Sequence, residues 1–292
     1  MLTNPEPTYC GKIAIIGRPN VGKSTLLNKI LGEKLSITSA KPQTTRQQIL
    51  GIKTEQAVQW IYLDTPGLHE KTQRRLSRDM VRSAINALNE IDVVGFVIEA
   101  GRWTSEDEAI LERLKGKPYP VLLIINKTDT IKNKDQLLPF IADCSKKMDF
   151  FAIIPLSAQK GDNVAVLEKK VAEQLPCAEF VYPIDQFTDR SQRFLAAEFI
   201  REKLMRCLYK ELPYWLKVDI EQYEEQAKLI KLSAVIWTER EGQKAIIIGK
   251  KGELLKTVGT QARLDMQRCF KKKVYLNLWV KVKAGWSEEP SA

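Results

Sequence analysis

Short apolar runs alternate with amphipathic segments along the first 175 residues of the chain. Several of these runs are continuous in Val, Ile and Leu, which is typical of strands buried on both faces of a sheet. Alternation at this spacing predicts an α/β domain with a mostly parallel sheet, helices on both faces and right-handed crossovers. The predicted strands cover residues 12–16, 59–63, 93–98, 121–125 and 151–156, and the predicted helices cover residues 23–31, 76–88, 106–114, 136–146 and 164–174.

The pattern changes at residues 176–190, where Pro176 and Pro183 interrupt any helix and no long apolar run occurs. We interpret this stretch as a linker between a first domain, residues 1–175, and a smaller α+β domain, residues 191–292. The predicted elements of the second domain are a helix over 191–209, strands over 215–223 and 229–238, an apolar run over 245–248, a helix over 253–270 and a strand over 274–283.

Residues 17–24 read GRPNVGKS and match the phosphate-binding pattern G-x-x-x-x-G-K-[ST]. The motif follows the first predicted strand and opens the first predicted helix. Its glycines let backbone N–H groups surround a β-phosphate, and the helix N-terminus adds a favourable dipole. Lys23 is expected to bridge the β- and γ-phosphates, and Ser24 is expected to bind Mg²⁺. The predicted nucleotide-binding residues of this motif are Gly17, Arg18, Pro19, Asn20, Val21, Gly22, Lys23, Ser24 and Thr25.

A second element, Asp64-Thr65-Pro66-Gly67, follows a predicted strand at its carboxyl end, where ligands bind in open α/β sheets. Asp64 is expected to hold Mg²⁺ through water, and the Gly67 N–H can point at the γ-phosphate. The polar segment 39–46 offers a threonine hydroxyl to Mg²⁺, with Thr45 preferred and Thr44 as the alternative. The predicted catalytic residues are Lys23, Thr45, Asp64 and Gly67, the predicted metal ligands are Ser24, Thr45 and Asp64, and further predicted nucleotide contacts are Thr65, Pro66 and Leu68.

Asn126-Lys127-Thr128-Asp129 follows a buried predicted strand and selects the base. Asp129 can accept two hydrogen bonds from guanine, whose N1–H and 2-amino group lie side by side, whereas adenine would leave the carboxylate unpaired. The aliphatic part of Lys127 can cover one face of the base. After the next strand, Ser157-Ala158 can present the Ala158 N–H to guanine O6. These elements predict a GTPase that binds GTP and GDP, and they disfavour an ATPase or a kinase.

Leu68 occupies the position at which Ras-type GTPases place a glutamine that orients the attacking water. Because leucine cannot hydrogen-bond to water, the predicted intrinsic turnover is slow. The missing function must come from a partner, a bound cation or a reordered switch segment. His69, the only histidine of the chain, is an alternative base, although a solvated loop histidine is the favoured interpretation.

The net charge of +10 is concentrated in residues 244–283, which contain 11 basic and 2 acidic residues. A basic segment of this kind predicts a polyanionic partner. Within it, Gly249-Lys250-Lys251-Gly252 precedes a long predicted helix, and such a loop clamps single-stranded nucleotides in KH domains. Local propensity favours a strand at 245–248, but a type II KH arrangement places a short helix there, and a helix is our prediction. The predicted RNA-binding residues are Gly249, Lys250, Lys251, Gly252, Lys271, Lys272 and Lys273, whereas Trp279 and Trp286 are expected in packing and in the tail.

Hydrophobic residues make up 44% of the 292 residues, which is enough for a folded core. No apolar run approaches the ~20 residues of a membrane-spanning helix, and the N-terminal residues do not resemble a signal peptide. The five cysteines are scattered and lack the spacing of a metal site or a disulfide framework. These features indicate a cytoplasmic protein.

The motifs together resemble the Era family of bacterial GTPases, which carry a C-terminal type II KH domain. The resemblance covers nearly the whole chain and includes Gln43-Thr44-Thr45-Arg46. It implies GTP hydrolysis in the cytoplasm, binding near the 3′ end of 16S ribosomal RNA, assistance to small-subunit assembly and a weak peripheral association with the inner membrane. In relatives with a hydrophobic residue at the position of Leu68, an asparagine placed like Asn20 helps to hold K⁺.

Two functions from different classes remain open. One is an RNA-binding GTPase of ribosome assembly. The other is a GTPase switch at the membrane surface, in growth or cell-cycle signalling, whose basic domain binds anionic lipid. The glycine spacing favours RNA, because lipid binding requires charge but no G-x-x-G loop. No DNA partner is expected.

Overall fold

The computed structural model describes residues 7–38, 49–64, 90–208 and 216–283 of the chain. It separates into two compact units, with the boundary between Asp189 and Arg190. Several predictions lie outside the described residues: those for Thr44, Thr45, Thr65, Pro66, Gly67, Leu68, His69 and Trp286, and the helix over 76–88.

The described strands of the first unit form one sheet in the order β2-β3-β1-β4-β5-β6. Strand β2 runs antiparallel to β3, and the other neighbours are parallel. The predicted mostly parallel sheet is therefore confirmed. The strands are β1 (Tyr9–Ile16), β2 (Ile49–Glu55), β3 (Val58–Asp64), β4 (Val93–Glu99), β5 (Val121–Asn126) and β6 (Ala152–Pro155).

Helices cover both faces of this sheet, as predicted. Phe96, Leu111, Leu123 and Cys144 belong to one buried cluster that joins the strands to α2 and α3. Because side chains alternate along a strand, the intervening strand residues face α1 and α4, which contact each other. The described helices of this unit are α1 (Lys23–Leu31), α2 (Ser105–Leu114), α3 (Leu137–Ser145) and α4 (Val164–Ala172).

The parallel strands bring the candidate residues to one edge of the sheet. The phosphate loop follows β1, Asp64 ends β3, Asn126 ends β5, and Ser157 follows β6. Since parallel strands have their carboxyl ends on the same side, motifs that are far apart in sequence converge there. The sheet topology thus creates one continuous site from four separate segments.

The segment interpreted as a linker, residues 176–190, lies on the first unit for much of its length. The Tyr182 N–H donates to Gln59 Oε1 at 3.0 Å, and Thr188 Oγ1 donates to the Leu50 carbonyl at 2.7 Å. Gln59 is fully buried. These bonds attach the segment to β2 and β3.

The second unit has the predicted order of helix, two strands, two helices and strand. Strands β7 and β8 are antiparallel, whereas β8 and β9 are parallel. Residues 245–248 are helical, so the fold and not the local strand propensity was the correct guide there. The elements are α5 (Gln192–Cys207), β7 (Lys217–Glu225), β8 (Leu229–Thr238), α6 (Glu241–Ile248), α7 (Glu253–Phe270) and β9 (Lys273–Val282).

The expected packing role of Trp279 is wrong, because its side chain is 60% exposed. It lies on β9, the last strand of the sheet order β7-β8-β9. Tyr275, four residues earlier on the same face of the strand, is also exposed, whereas Val274, on the opposite face, is buried. The periodicity of the strand was predicted correctly, but the packing of its aromatic row was not.

Candidate nucleotide site and candidate RNA-binding loop

Lys23 lies inside the phosphate loop with its ammonium group buried. Its Nζ donates to the carbonyl oxygens of Gly17 at 2.8 Å and of Arg18 at 3.0 Å. Burial lowers the pKa of Lys23 to about 8, while the charge of Asp64 acts in the opposite direction. A buried cation held by neutral carbonyls gains an oppositely charged acceptor, and with it a stronger hydrogen bond, when an anion such as a phosphate enters the loop.

The phosphate loop contacts the base motif directly at Gly22, which precedes α1. Gly22 has a φ of 100°, and a Cβ atom there would lie 2.3 Å from Asn126 Nδ2. That nitrogen donates to the Val21 carbonyl at 2.8 Å. A side chain at Gly22 would therefore separate two motifs that the structure holds together.

Ser24 and Asp64, the two predicted metal ligands that the structure describes, are in contact. Ser24 Oγ donates to Asp64 Oδ2 at 2.9 Å. Burial raises the pKa of Asp64, against the charge of Lys23 and the hydrogen bond from Ser24. Asp64 Oδ1 is buried and has no hydrogen-bond partner among the described residues. The Ser36 hydroxyl is near enough to favour the charged form of Asp64 and so to lower its pKa.

The base motif is oriented by the loop that follows β6. Ser157 Oγ donates to Asp129 Oδ1 at 2.6 Å, which orients the carboxylate. The Ala158 N–H, predicted to bind guanine O6, donates to Asn126 Oδ1 at 2.9 Å. A guanine oxygen would have to share that donor with Asn126. The structure brings the predicted base-binding residues together, but the Ala158 N–H already has Asn126 as its hydrogen-bond partner.

Two acidic residues of this site were not identified from the sequence. Glu99 and Asp107 both accept hydrogen bonds from Arg18. The position of Glu99 immediately after a continuous apolar run was the available signal. No such signal marked Asp107 in the sequence, since an acidic residue in the first turn of a helix is common.

The G-x-x-G loop connects α6 to α7 and exposes its two lysines, Lys250 and Lys251. Gly249 and Gly252 have φ values of 71° and 79°, which glycine adopts without strain. A Cβ atom at Gly249 would lie 2.8 Å from Leu254 Cβ, whereas one at Gly252 would meet nothing within 4 Å. The loop thus presents backbone and positive charge at the N-terminus of α7. The neighbouring Ile246 is 58% exposed, an apolar surface that sequence reasoning missed.

The structure does not bring the predicted lysine run 271–273 to this loop. The run follows the C-terminal end of α7, an 18-residue helix. At 1.5 Å per residue the two ends are about 27 Å apart. Lys272 Nζ also donates to Glu225 Oε1 at 2.6 Å. The two groups of predicted RNA-binding residues therefore form separate surfaces.

Comparison with known families agrees with this arrangement. A family model described as 50S ribosome-binding GTPase matches residues 12–127, and a KH domain model matches residues 211–287. GTPase Era of Glaesserella parasuis is 55% identical over 288 residues, which are 98% of this chain and 96% of that protein. GTPase Era of Pseudomonas aeruginosa is 54% identical over 288 residues, 99% of this chain and 94% of that protein.

The chain belongs to the Era family of GTPases. Two solved Era structures resemble it over nearly its whole length. A variant of Aquifex aeolicus Era bound to GDP·AlF4⁻ has a TM-score of 0.91 and 40% identity, and the match covers 97% of each chain. Era in complex with MgGDPNP and nucleotides 1506–1542 of 16S ribosomal RNA has the same TM-score and identity, with 97% of this chain and 96% of that chain covered.

Family membership confirms the predicted fold, a P-loop GTPase domain followed by a KH domain, and the predicted GTPase activity. In the parts of this Era family member that the structure describes, no helix is both long enough and apolar enough to cross a membrane.

Proposed function

We propose that this Era family member couples GTP binding and hydrolysis to binding of the 3′ region of 16S ribosomal RNA, and thereby assists assembly of the small ribosomal subunit. The observation that carries the proposal is the joint presence of the Lys23 site and the exposed Gly249–Gly252 loop. The Era structure with MgGDPNP and 16S nucleotides, at 40% identity, supports both ligands.

Within the nucleotide site, Lys23 exchanges its carbonyl partners for β- and γ-phosphate oxygens. The backbone of residues 17–25 surrounds the phosphates, and Asp129 pairs with the guanine N1–H and 2-amino group. Lys127 covers one face of the base, and Ala158 shares its N–H between Asn126 and guanine O6. Gly67, outside the described residues, donates its N–H to the γ-phosphate.

Ser24 and Asp64 fit a magnesium site. Their side-chain oxygens lie 2.9 Å apart, and the second oxygen of Asp64 is a buried acceptor without a partner among the described residues. Mg²⁺ prefers oxygen ligands, usually with several waters retained. We propose Ser24 as a direct ligand, Asp64 as a ligand through water and Thr45 as the switch ligand. When bound, Mg²⁺ neutralises charge on the β- and γ-phosphates.

We expect slow basal turnover that is at least about tenfold faster in K⁺ than in Na⁺, still below the ~10³-fold effect of an arginine finger. Leu68 cannot orient water, so the missing function must come from another source, and we propose a bound cation that supplies positive charge to the phosphates. Asn20 lies in the phosphate loop with a φ of 63° and is the proposed K⁺ ligand. Phosphate release at equal ionic strength in the two salts measures the effect.

The control for this prediction is Asn20→Gly, because glycine keeps the positive φ and removes the side-chain oxygen. This variant is expected to hydrolyse GTP at the same slow rate in both salts. Equal turnover of the unsubstituted protein in K⁺ and Na⁺ would show that the cation hypothesis is wrong.

The proposed RNA partner is tested with the full chain in the presence of a non-hydrolysable GTP analogue. We expect the 3′-terminal segment of 16S ribosomal RNA to bind at least about tenfold more tightly than a permuted RNA of equal length. Contacts to the bases add to the sequence-independent attraction between basic residues and phosphates. Filter binding or fluorescence anisotropy measures both affinities.

A parallel flotation assay uses vesicles that contain anionic lipid. We propose a cytoplasmic protein with a weakly membrane-associated fraction, so vesicle binding should be weak and lost as salt rises. Tight vesicle binding together with equal affinity for the two RNAs would contradict the ribosomal proposal and support the membrane-surface switch.

A further inference from the structure

We propose that Glu99 is a positioning residue that couples the phosphate loop to the base-recognition motif. One oxygen of its carboxylate, Oε2, accepts a hydrogen bond from Arg18 Nη2 at 2.8 Å. The other, Oε1, accepts a hydrogen bond from Lys127 Nζ at 2.8 Å. Arg18 belongs to the phosphate loop and Lys127 to the base motif, so the inference rests on the nucleotide contacts proposed above for these two segments.

The position of Glu99 in the sheet explains how one side chain reaches both loops. It is the last residue of β4, and β4 lies between β1, which leads into the phosphate loop, and β5, which leads into the base motif. In the strand register Glu99 pairs with Asn126, and the Ala100 N–H donates to the Asn126 carbonyl at 2.8 Å. A carboxylate at the end of the middle strand thus faces the loops on either side.

Arg18 is fixed from a second side by Asp107 of α2. Arg18 Nε donates to Asp107 Oδ2 at 3.2 Å, and the Arg18 side chain is 8% exposed. That oxygen also accepts hydrogen bonds from the backbone N–H and the hydroxyl of Thr104, at 3.0 and 2.8 Å. The anchoring acid is therefore held by the N-terminal capping interaction of α2. Arg18 has little freedom to move while both acids are present.

The charges of this group depend on one another. Burial disfavours the charge on Glu99, but hydrogen bonds from Lys127 and Arg18 outweigh it and hold the pKa of Glu99 below its usual value. Only an ionised carboxylate offers acceptors to two cations and no donor of its own. A neutral residue of the same shape would leave the Arg18 and Lys127 cations near each other without their shared counter-charge.

Both partners of Glu99 lead to proposed nucleotide contacts. The Arg18 carbonyl is one of the two acceptors that hold Lys23 Nζ. The Lys127 stem is the proposed cover of the base. Glu99 bonds to Arg18 and Lys127 and is not itself one of the proposed nucleotide contacts, so its loss should weaken nucleotide retention and leave the rate of the chemical step at saturation nearly unchanged.

The test compares Glu99→Gln with Glu112→Gln in the full-length protein. Glu112 is an exposed, ion-paired glutamate on α2 and serves as the matched control. Stopped-flow release of ribose-labelled GDP should be about tenfold faster in Glu99→Gln, as expected for two charge-assisted hydrogen bonds, and within about twofold of the unsubstituted rate in Glu112→Gln. The value of kcat at saturating GTP should stay within about twofold, with the loss in KM.

A double-mutant cycle with Lys127→Met tests the route of coupling, because methionine keeps the apolar stem and removes the cation. If Glu99 acts partly through Lys127, the two substitutions should accelerate GDP release together by less than the product of their separate effects, with the remaining effect of Glu99→Gln due to its bond with Arg18. The double variant lacks the Lys127 cation, which Glu99→Gln alone leaves beside Arg18 without a shared counter-charge. The cycle therefore stays informative if Glu99→Gln lowers the melting temperature.

Equal release rates in the unsubstituted protein and Glu99→Gln would overturn the positioning role, and so would additive effects in the cycle. Failure of the unsubstituted protein to bind labelled GDP would instead contradict the proposed nucleotide site.

Discussion

Replacing Asp129 by asparagine is expected to convert the base preference from guanine to xanthine. The carboxylate accepts from both donors of guanine, whereas an asparagine amide can accept from N1–H and donate to the 2-carbonyl of xanthine. Ser157 Oγ, which donates to Asp129 Oδ1 at 2.6 Å, can keep the amide oxygen in place. GTP affinity should fall at least about 100-fold, because the asparagine amide N–H would face the 2-amino group of guanine, donor against donor.

Competition against labelled GDP with GTP, XTP and ATP measures this change. Asp143→Asn is the matched control, since Asp143 is an exposed, ion-paired carboxylate on α3. The control should keep the guanine preference, and no form should bind ATP tightly. Tight ATP binding by the unsubstituted protein, or retained GTP preference in Asp129→Asn, would show that this carboxylate does not select the base.

Changing both Gly249 and Gly252 to aspartate is expected to reduce RNA affinity roughly 100-fold, at ~1–3 kcal/mol for each position. Both residues have φ values in the left-handed region, and the substitution places negative charge where a phosphate backbone would approach. GTP affinity should stay within about twofold, because the loop and the nucleotide site belong to different compact units. RNA binding and GDP binding are measured on the same preparation.

Gly252→Asp alone is the milder variant, since a Cβ atom there has open space whereas one at Gly249 meets Leu254, and only the strain of the positive φ remains. Circular dichroism confirms the fold of each variant. A folded double variant with undiminished RNA binding would contradict the KH-type contact and favour the lipid alternative.

The lysine run 271–273 provides a contrasting variant, because it lies at the opposite end of α7. Changing all three residues to alanine should lower affinity for every RNA by a similar factor and flatten the salt dependence through fewer released counterions. Since Lys272 already pairs with Glu225, the loss should be smaller than that from the glycine substitutions.

The sequence by itself determined most of the elements and the motifs that lie on them, because both depend on local patterns; at residues 245–248, where local propensity favours a strand, the chain is helical. The helix over 23–31 and the strand over 229–238 coincide with α1 and β8. Apolar runs, turn residues and motif spacing carry that information along the chain. The GTPase family model matches residues 12–127, within the predicted first domain, and the KH model matches residues 211–287, within the predicted second domain.

Only the tertiary structure decided which groups meet across the sheet. The contact of Glu99 with Arg18 and Lys127 joins three segments through the order of β1, β4 and β5, which no local pattern specifies. The same holds for the Ala158 N–H, which has Asn126 as its partner. Trp279 lies on the same exposed face of β9 as Tyr275, and which face of that strand is covered was decided by packing within the folded unit. Strand order and helix placement arise from long-range packing, so these contacts appear only once the chain has folded.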